Sequence, residues 1–225
     1  MITEKPVEEL VAIGARLRTA YLLQQFGYTI GIAADDEEGI EEIVDDPQLI
    51  EEIGAMGETV KVAAQDRELM EQEAKDLKKR QDVLLRKAKV WRRKVAARAS
   101  RARHRGKDVP EVLCVIGPAS TVPAITAQLT VMTATFATHI AILGGERAQA
   151  LLEEGKAILT DLSTTDAEQE VARLTRLPQK VREFYVAKAR LYLGIKIIND
   201  AGRELHAEDP KAAAAYNLKI LHRRR

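Results

Sequence analysis

The sequence predicts an all-α fold, an elongated antiparallel helical bundle with long coiled-coil-like helices, and three observations carry that expectation. Aromatic residues make up 4% of a chain that is 46% hydrophobic and 31% charged, so good helix formers dominate and strand-forming runs are missing. Apolar residues recur at steps of three and four along most of the chain. The stretch Glu58 to Arg105 contains neither proline nor glycine. With 225 residues the chain is long enough to bury a real core, or to form an extended multi-helix protein.

The first helix is expected from about Thr3–Pro6 to Tyr28, on a face of Leu10, Ile13, Leu17, Tyr21 and Tyr28 that Gln24 interrupts. From Ile32 to Gly57 short apolar pairs alternate with acidic doublets. Asp46–Pro47 reads as an N-cap with a first-turn proline, and Gly54 and Gly57 read as stops, so one or two short helices are expected there.

A long helix then covers Glu58 to Arg105. Met70, Leu77, Leu84 and Trp91 fall at intervals of seven, and Ala74, Ala88, Val95 and Ala102 lie on the same side; Gln81 weakens this coiled-coil seam. After the turn GKDVP, Val112 to Gly145 carries no Asp, Glu, Lys or Arg. Its face of Ile125, Leu129, Met132, Phe136, Ile140 and Leu143 is strongly apolar and the remainder is small and uncharged, so this helix is expected to be buried on all sides.

A shorter helix is expected from Glu146 to about Ser163. Thr165 and Glu168 form a T-x-x-E capping box that opens a second long helix to about His206, with a stripe of Val171, Leu174, Val181, Phe184, Leu191, Ile195, Ile198 and Leu205. Pro178 should kink or break it. Asp209–Pro210 opens a last short helix before the basic end HRRR. The resulting division is residues 1–57, an N-terminal helix with acidic short helices; 58–206, the long-helix bundle including 112–145; and 207–225, a C-terminal short helix.

The charge is blocked. Asp35 to Asp76 holds sixteen acidic residues against Lys61, Arg67 and Lys75, whereas Lys78 to Lys107 holds fourteen basic residues against Asp82 alone; the whole chain carries only +1. Equal and opposite blocks can pair within a subunit or between neighbours. Arg86, Lys87, Lys89, Arg92, Arg93, Lys94, Arg98, Arg101, Arg103 and Arg105 are the candidate contacts for nucleic acid or an acidic partner, with Arg223 to Arg225 as a second basic group. Trp91 could stack on a base, but its place in the seam favours packing.

Enzymatic signals are weak. His104, His139, His206 and His222 are far apart, and no glutamate stands three residues before any of them. Placing Gly39 at the sixth position of a calcium loop puts Ala34 at the first ligand position, so the EF-hand pattern fails. Phosphate-loop, dinucleotide and nucleophile-elbow motifs are absent. The single cysteine, Cys114, reads as a buried small hydrophobe, and His139 as a hydrogen-bonded core residue.

The expectation is therefore a non-enzymatic structural protein without a cofactor. It would self-assemble into a filament, tube, shell or virion component, with Ile125, Leu129, Met132, Phe136, Ile140 and Leu143 as the assembly core. A nucleic-acid coating protein using residues 78–107 is the first alternative. A membrane-active or pore-forming protein using 112–145 is the second, opposed by Pro118, Pro123, Gln128, His139 and the threonines. The acidic start resembles no secretory signal, which points to the cytoplasm or to release without a cleaved signal.

Overall fold

The computed structural model describes residues 3–222, and within them all regular structure is helical. The helices are α1 (Val7–Arg16), α2 (Thr19–Ala33), α3 (Glu37–Val44), α4 (Leu49–His104), α5 (Glu111–Cys114), α6 (Val122–Thr138), α7 (Ile140–Leu143), α8 (Gly145–Val171), α9 (Leu177–Leu205) and α10 (Pro210–Ala213). A five-residue π-helical segment, Ala172–Arg176, joins α8 to α9. The chain divides into two compact units, one of residues up to Glu71 with Arg176 onward, the other of Gln72–Thr175. This differs from the division expected at residues 57 and 206.

In the first unit, α1, α2, α3 and α10 pack on α9. Their core joins Leu22 and Ile40 to Leu49, Ile53 and Val60 of α4, and to Phe184, Leu191, Ile195 and Ile198 of α9. Ile53 lies against Gly194, and Asp66 lies 3.7 Å from Lys180. Since α4 positions rise as their α9 partners fall, these two helices run antiparallel.

The expected first helix is two helices. The chain leaves helical geometry at Leu17, with ψ 136°, and at Arg18, with ψ 122°, although neither is a breaker. The cause is tertiary: Lys188 Nζ donates to the Leu17 carbonyl. Gly54 and Gly57 do not stop α4. Interior glycines each cost about 1 kcal/mol, and the burial of Leu49, Ile53 and Val60 outweighs this. Asp46 does act at the helix entrance, accepting from the Gln48 N–H at 3.2 Å.

In the second unit, Leu84, Ala88, Trp91, Val95, Ala99 and Ala102 of α4 are buried as the seam predicted, against α6 and α8. Gln81 is buried within it and donates to Asp166 Oδ1 at 2.7 Å. Gln81 bonds to Asp166 and Trp91 to Leu151, so α4 and α8 are antiparallel as well. Thr121 caps α6 through the Ala124 N–H, with Pro123 in the first turn.

One expectation on the C-terminal half is corrected. Thr165 opens no helix: it is buried in the interior of α8, and the helical run continues from Gly145 to Leu205. The T-x-x-E pattern is a local signal that packing overrides. Pro178 does mark a break in the α-helix: α8 ends at Val171, the π-helical segment follows, and α9 opens with Pro178 in its first turn, where the missing N–H costs least. That extra residue per turn also rotates the apolar stripe. Val171 and Leu174 are exposed, whereas Phe184, Leu191, Ile195 and Ile198 beyond the reset are buried. The last helix stops at Ala213, with Asp209 capping it through the Lys211 and Ala212 N–H groups. Arg223 to Arg225 lie outside the described residues.

Candidate functional site

The contact between α4 and α8 positions the basic residues. Trp91 is fully buried and its Nε1 donates to the Leu151 carbonyl at 2.6 Å. Gly155 faces the indole, where an added Cβ would sit 2.3 Å from Cζ2, so only glycine permits this approach. About one, two and three helical turns further along α4, the side chains at 94, 98 and 101 then project beside the start of α8.

The ten basic candidates separate into different roles. Arg92 is buried rather than presented to a partner, and its Nη2 donates to the Gly117 carbonyl at 2.6 Å. Its charge is used inside the unit to fasten the loop before α6, which corrects its assignment as a contact. Arg103 holds the Val109 carbonyl at 3.0 Å, and Arg98 holds those of Leu143 and Gly144 at 2.6 and 2.7 Å. Lys94 pairs with Glu154 at 2.9 Å. Arg86, Lys87, Lys89, Arg93, Arg101 and Arg105 are exposed and have no ion pair among the described residues.

Arg98, Arg101, Arg105 and Lys107 meet Arg147 around a cavity of about 380 Å³ beside Leu143 and Gly144. No carboxylate lines it. Burial, and then the positive charges of Arg101 and Arg147, hold the Arg98 guanidinium below the ordinary arginine pKa. Arg147 carries no signal in the sequence because it is an isolated basic residue at the start of α8, far in the chain from the basic run. An adjoining groove of about 490 Å³ shares Arg98, Arg101 and Arg147 and contains Glu154.

Some members of the acidic and basic blocks find partners. Glu58 pairs with Lys61, Glu71 with Arg67, and Asp66 with Lys180; Lys79 pairs with Asp76 and Lys78 with Asp82. Most are exposed pairs one helical turn apart, each worth little.

The uncharged segment is placed differently from the expectation. Ile125, Leu129, Met132, Phe136 and Leu143 are buried, with Ile140 half-buried, in the core that α6 forms with α4 and α8 of the same chain. They are therefore not an assembly core. Nor is α6 buried on all sides: Ala127, Thr130, Val131, Ala134 and Thr138 are exposed, Val131 to 51%. Val115 and Ile116, in the loop after α5, are exposed to 58% and 38%. A groove of about 430 Å³ runs between them, lined by Val112, Val115, Gly117, Ala127, Gln128, Val131 and Met132. No helix among the described residues is long and apolar enough to cross a membrane.

The first unit holds one cluster that sequence reading did not find. Asp36 Oδ2 lies 2.7 Å from His206 Nε2 and accepts from the Tyr216 hydroxyl, which joins the start of α3, the end of α9 and the segment after α10. Tyr216, then His206, hold the Asp36 carboxyl below its ordinary value of 3.8; burial, then Asp36, push the Tyr216 hydroxyl up. A depressed carboxyl contributes stability that is present above 3.8 and is lost as pH falls through the folded-state pKa. Asp36→Asn is expected to cost about 1–3 kcal/mol near neutrality and to remove this part of the acid-side slope. Urea unfolding of both proteins at about pH 7 and about pH 3 checks it; parallel losses on acidification in the two proteins would refute the role.

Among the described residues no three His, Cys, Asp or Glu side chains converge on a metal position. Cys114 is half-buried at the edge of the second unit's core, and His139 is the half-buried C-cap of α6, with its Nδ1 2.9 Å from the Thr135 carbonyl. No protein-family model, curated protein or solved structure matches this chain.

Proposed function

We propose that the chain is a non-enzymatic structural protein that associates with further copies of itself through the uncharged outward surface of Val112, the loop after α5 and α6. The observation that supports this reading is the exposure of Val112, Val115 and Val131 around one groove in a chain that is 31% charged. Elsewhere α4 and α8 carry exposed charge of one sign or the other. Two copies meeting through a charge-free face encounter no like-charge repulsion, as a two-fold contact requires of a self-complementary patch. The exposed threonines allow water or hydroxyl contacts at its rim.

Because this face carries no charge, association through it rests on apolar burial and resists salt. Light scattering on a size-exclusion column at low and high salt tests this. The expected species is a multiple of the 25.0 kDa chain under both conditions. A glutamate at Val131 buries a charge in such a contact, so Val131→Glu is expected to raise the dissociation constant about thirtyfold, a loss of about 2 kcal/mol, with helix content retained. A wild-type monomer at micromolar concentration sinks the reading.

A second reading has its own support in Arg86, Lys87, Lys89, Arg93, Arg101 and Arg105, which are exposed without acidic partners. It makes the chain a nucleic-acid coating protein that contacts phosphates without reading bases. Nucleic acid that elutes with the protein at low salt and leaves it at high salt distinguishes the two.

A further inference from the structure

We infer that the cavity between the end of α4 and the start of α8 binds an oligophosphate anion, with two or three linked phosphate groups held by Arg98, Arg101, Arg105, Lys107 and Arg147. The inference is independent of self-association and adds a ligand to it.

Five cations face one cavity with no carboxylate in its lining. Glu146 and Asp108, the nearest acidic residues in sequence, do not line it, and Glu154 belongs to the adjoining groove, where Lys94 neutralises it. The cations therefore repel one another until an anion enters, a repulsion already visible in the effect of Arg101 and Arg147 on Arg98. A terminal phosphate carries about two negative charges, fewer than the five cations present. Linked phosphates match them better.

The geometry is prepared for such a ligand. Arg98 is fixed by the Leu143 and Gly144 carbonyls, so little of its side-chain freedom remains to be lost on binding. Guanidinium groups present paired donors that fit phosphate oxygens. Gly144, with φ 91°, leads directly into the 27-residue α8, whose first turn is not capped by a side chain among the described residues. Its N–H groups and dipole add positive potential on the same side. The apolar lining is Ala102, Ile142 and Leu143, with no aromatic ring to stack on a base. Recognition is therefore of the phosphates.

The test is calorimetric titration of the full chain with inorganic tripolyphosphate at about 0.15 M salt, where long-range attraction is screened. Saturable binding of one tripolyphosphate per chain is expected, with purine and pyrimidine nucleoside triphosphates within about twofold of each other. Arg101 and Arg147 are both exposed, so R101Q/R147Q is expected to keep its helix content while weakening binding by about tenfold or more. R86Q/K87Q removes the same charge from α4 residues outside the cavity and is expected to change affinity by less than about twofold. Arg98 is left in place because it holds the loop. The inference is overturned by a titration without saturation, by equal weakening in the two double variants, or by equally tight binding of an oligonucleotide with the same number of phosphates. That last result would instead support general attraction of nucleic acid.

Discussion

Trp91→Ala is expected to lower the stability of the second unit by about 3–5 kcal/mol, the range for deleting a fully buried large aromatic side chain. Trp91 has no exposed surface, and it lies where Leu84, Val95 and Ala99 of α4 meet Leu151, Leu152 and Ile158 of α8. Collapse around the vacancy is limited on one side, because Gly155 has no side chain to move into it. The lost hydrogen bond to Leu151 adds little: that carbonyl lies inside α8 and keeps its helical partner, so the net contribution is about 1 kcal/mol. Trp91→Phe retains most of the ring volume and is expected to cost roughly half as much or less. Urea unfolding followed by far-ultraviolet circular dichroism measures both, since the only tryptophan is the residue replaced. A Trp91→Ala loss below about 1 kcal/mol would mean the indole is not the centre of this core.

The same contact carries the cavity. Arg98 and Arg101 lie two to three turns beyond Trp91 on α4, and Arg147 lies one turn before Leu151 on α8, so the Trp91–Leu151 bond sets the two helices in register. Loss of tripolyphosphate affinity is therefore expected to accompany Trp91→Ala even though the indole does not line the cavity.

What the sequence made legible follows from how far each signal reaches. The seam from Leu84 to Ala102 was readable because heptad spacing on one helix determines which side chains share a face, whatever the partner. The stripe of α6 was readable for the same reason, but its partner was not: burial of Ile125, Leu129 and Phe136 against the same chain and against a second copy follow the same pattern. The break at Leu17 had no local signal, since Lys188, which holds it, is far away in the chain. The stripe from Val171 to Leu205 failed at its start because a single period was assumed across a π-helical register change, and its last residue, Leu205, is exposed as well. The basic cavity was half visible. Four of its cations sit in one charge run, while Arg147 and the uncapped start of α8 join them only through folding. Local patterning thus gave the faces, and long-range contacts decided what those faces do.

Gly14→Ala is expected to destabilise the first unit by about 3 kcal/mol, at the upper end of the usual cost of overpacking. An added Cβ at Gly14 would lie 1.9 Å from the Tyr185 carbonyl oxygen and 2.6 Å from its carbon. Those are backbone atoms in the middle of α9, which is held by Phe184, Leu191 and Ile195 in the core and cannot shift as a side-chain tip can. The strain must therefore be relieved by α1, which packs on α9 and whose end is tied to it by Lys188 on Leu17 and, at the surface, by Arg182 on Glu8. Moving α1 away exposes Leu10 and strips Lys188 of its carbonyl acceptor, so the relief is itself costly. A matched control separates this clash from the general effect of alanine. Gly31 is exposed within α2 and nothing lies within 4 Å of its added Cβ, so Gly31→Ala is expected to stabilise by about 0.5–1 kcal/mol through helix propensity. Opposite signs for the two glycine substitutions, read from urea midpoints, would establish that α1 is seated directly on the backbone of α9. A neutral or stabilising Gly14→Ala would show that it is not.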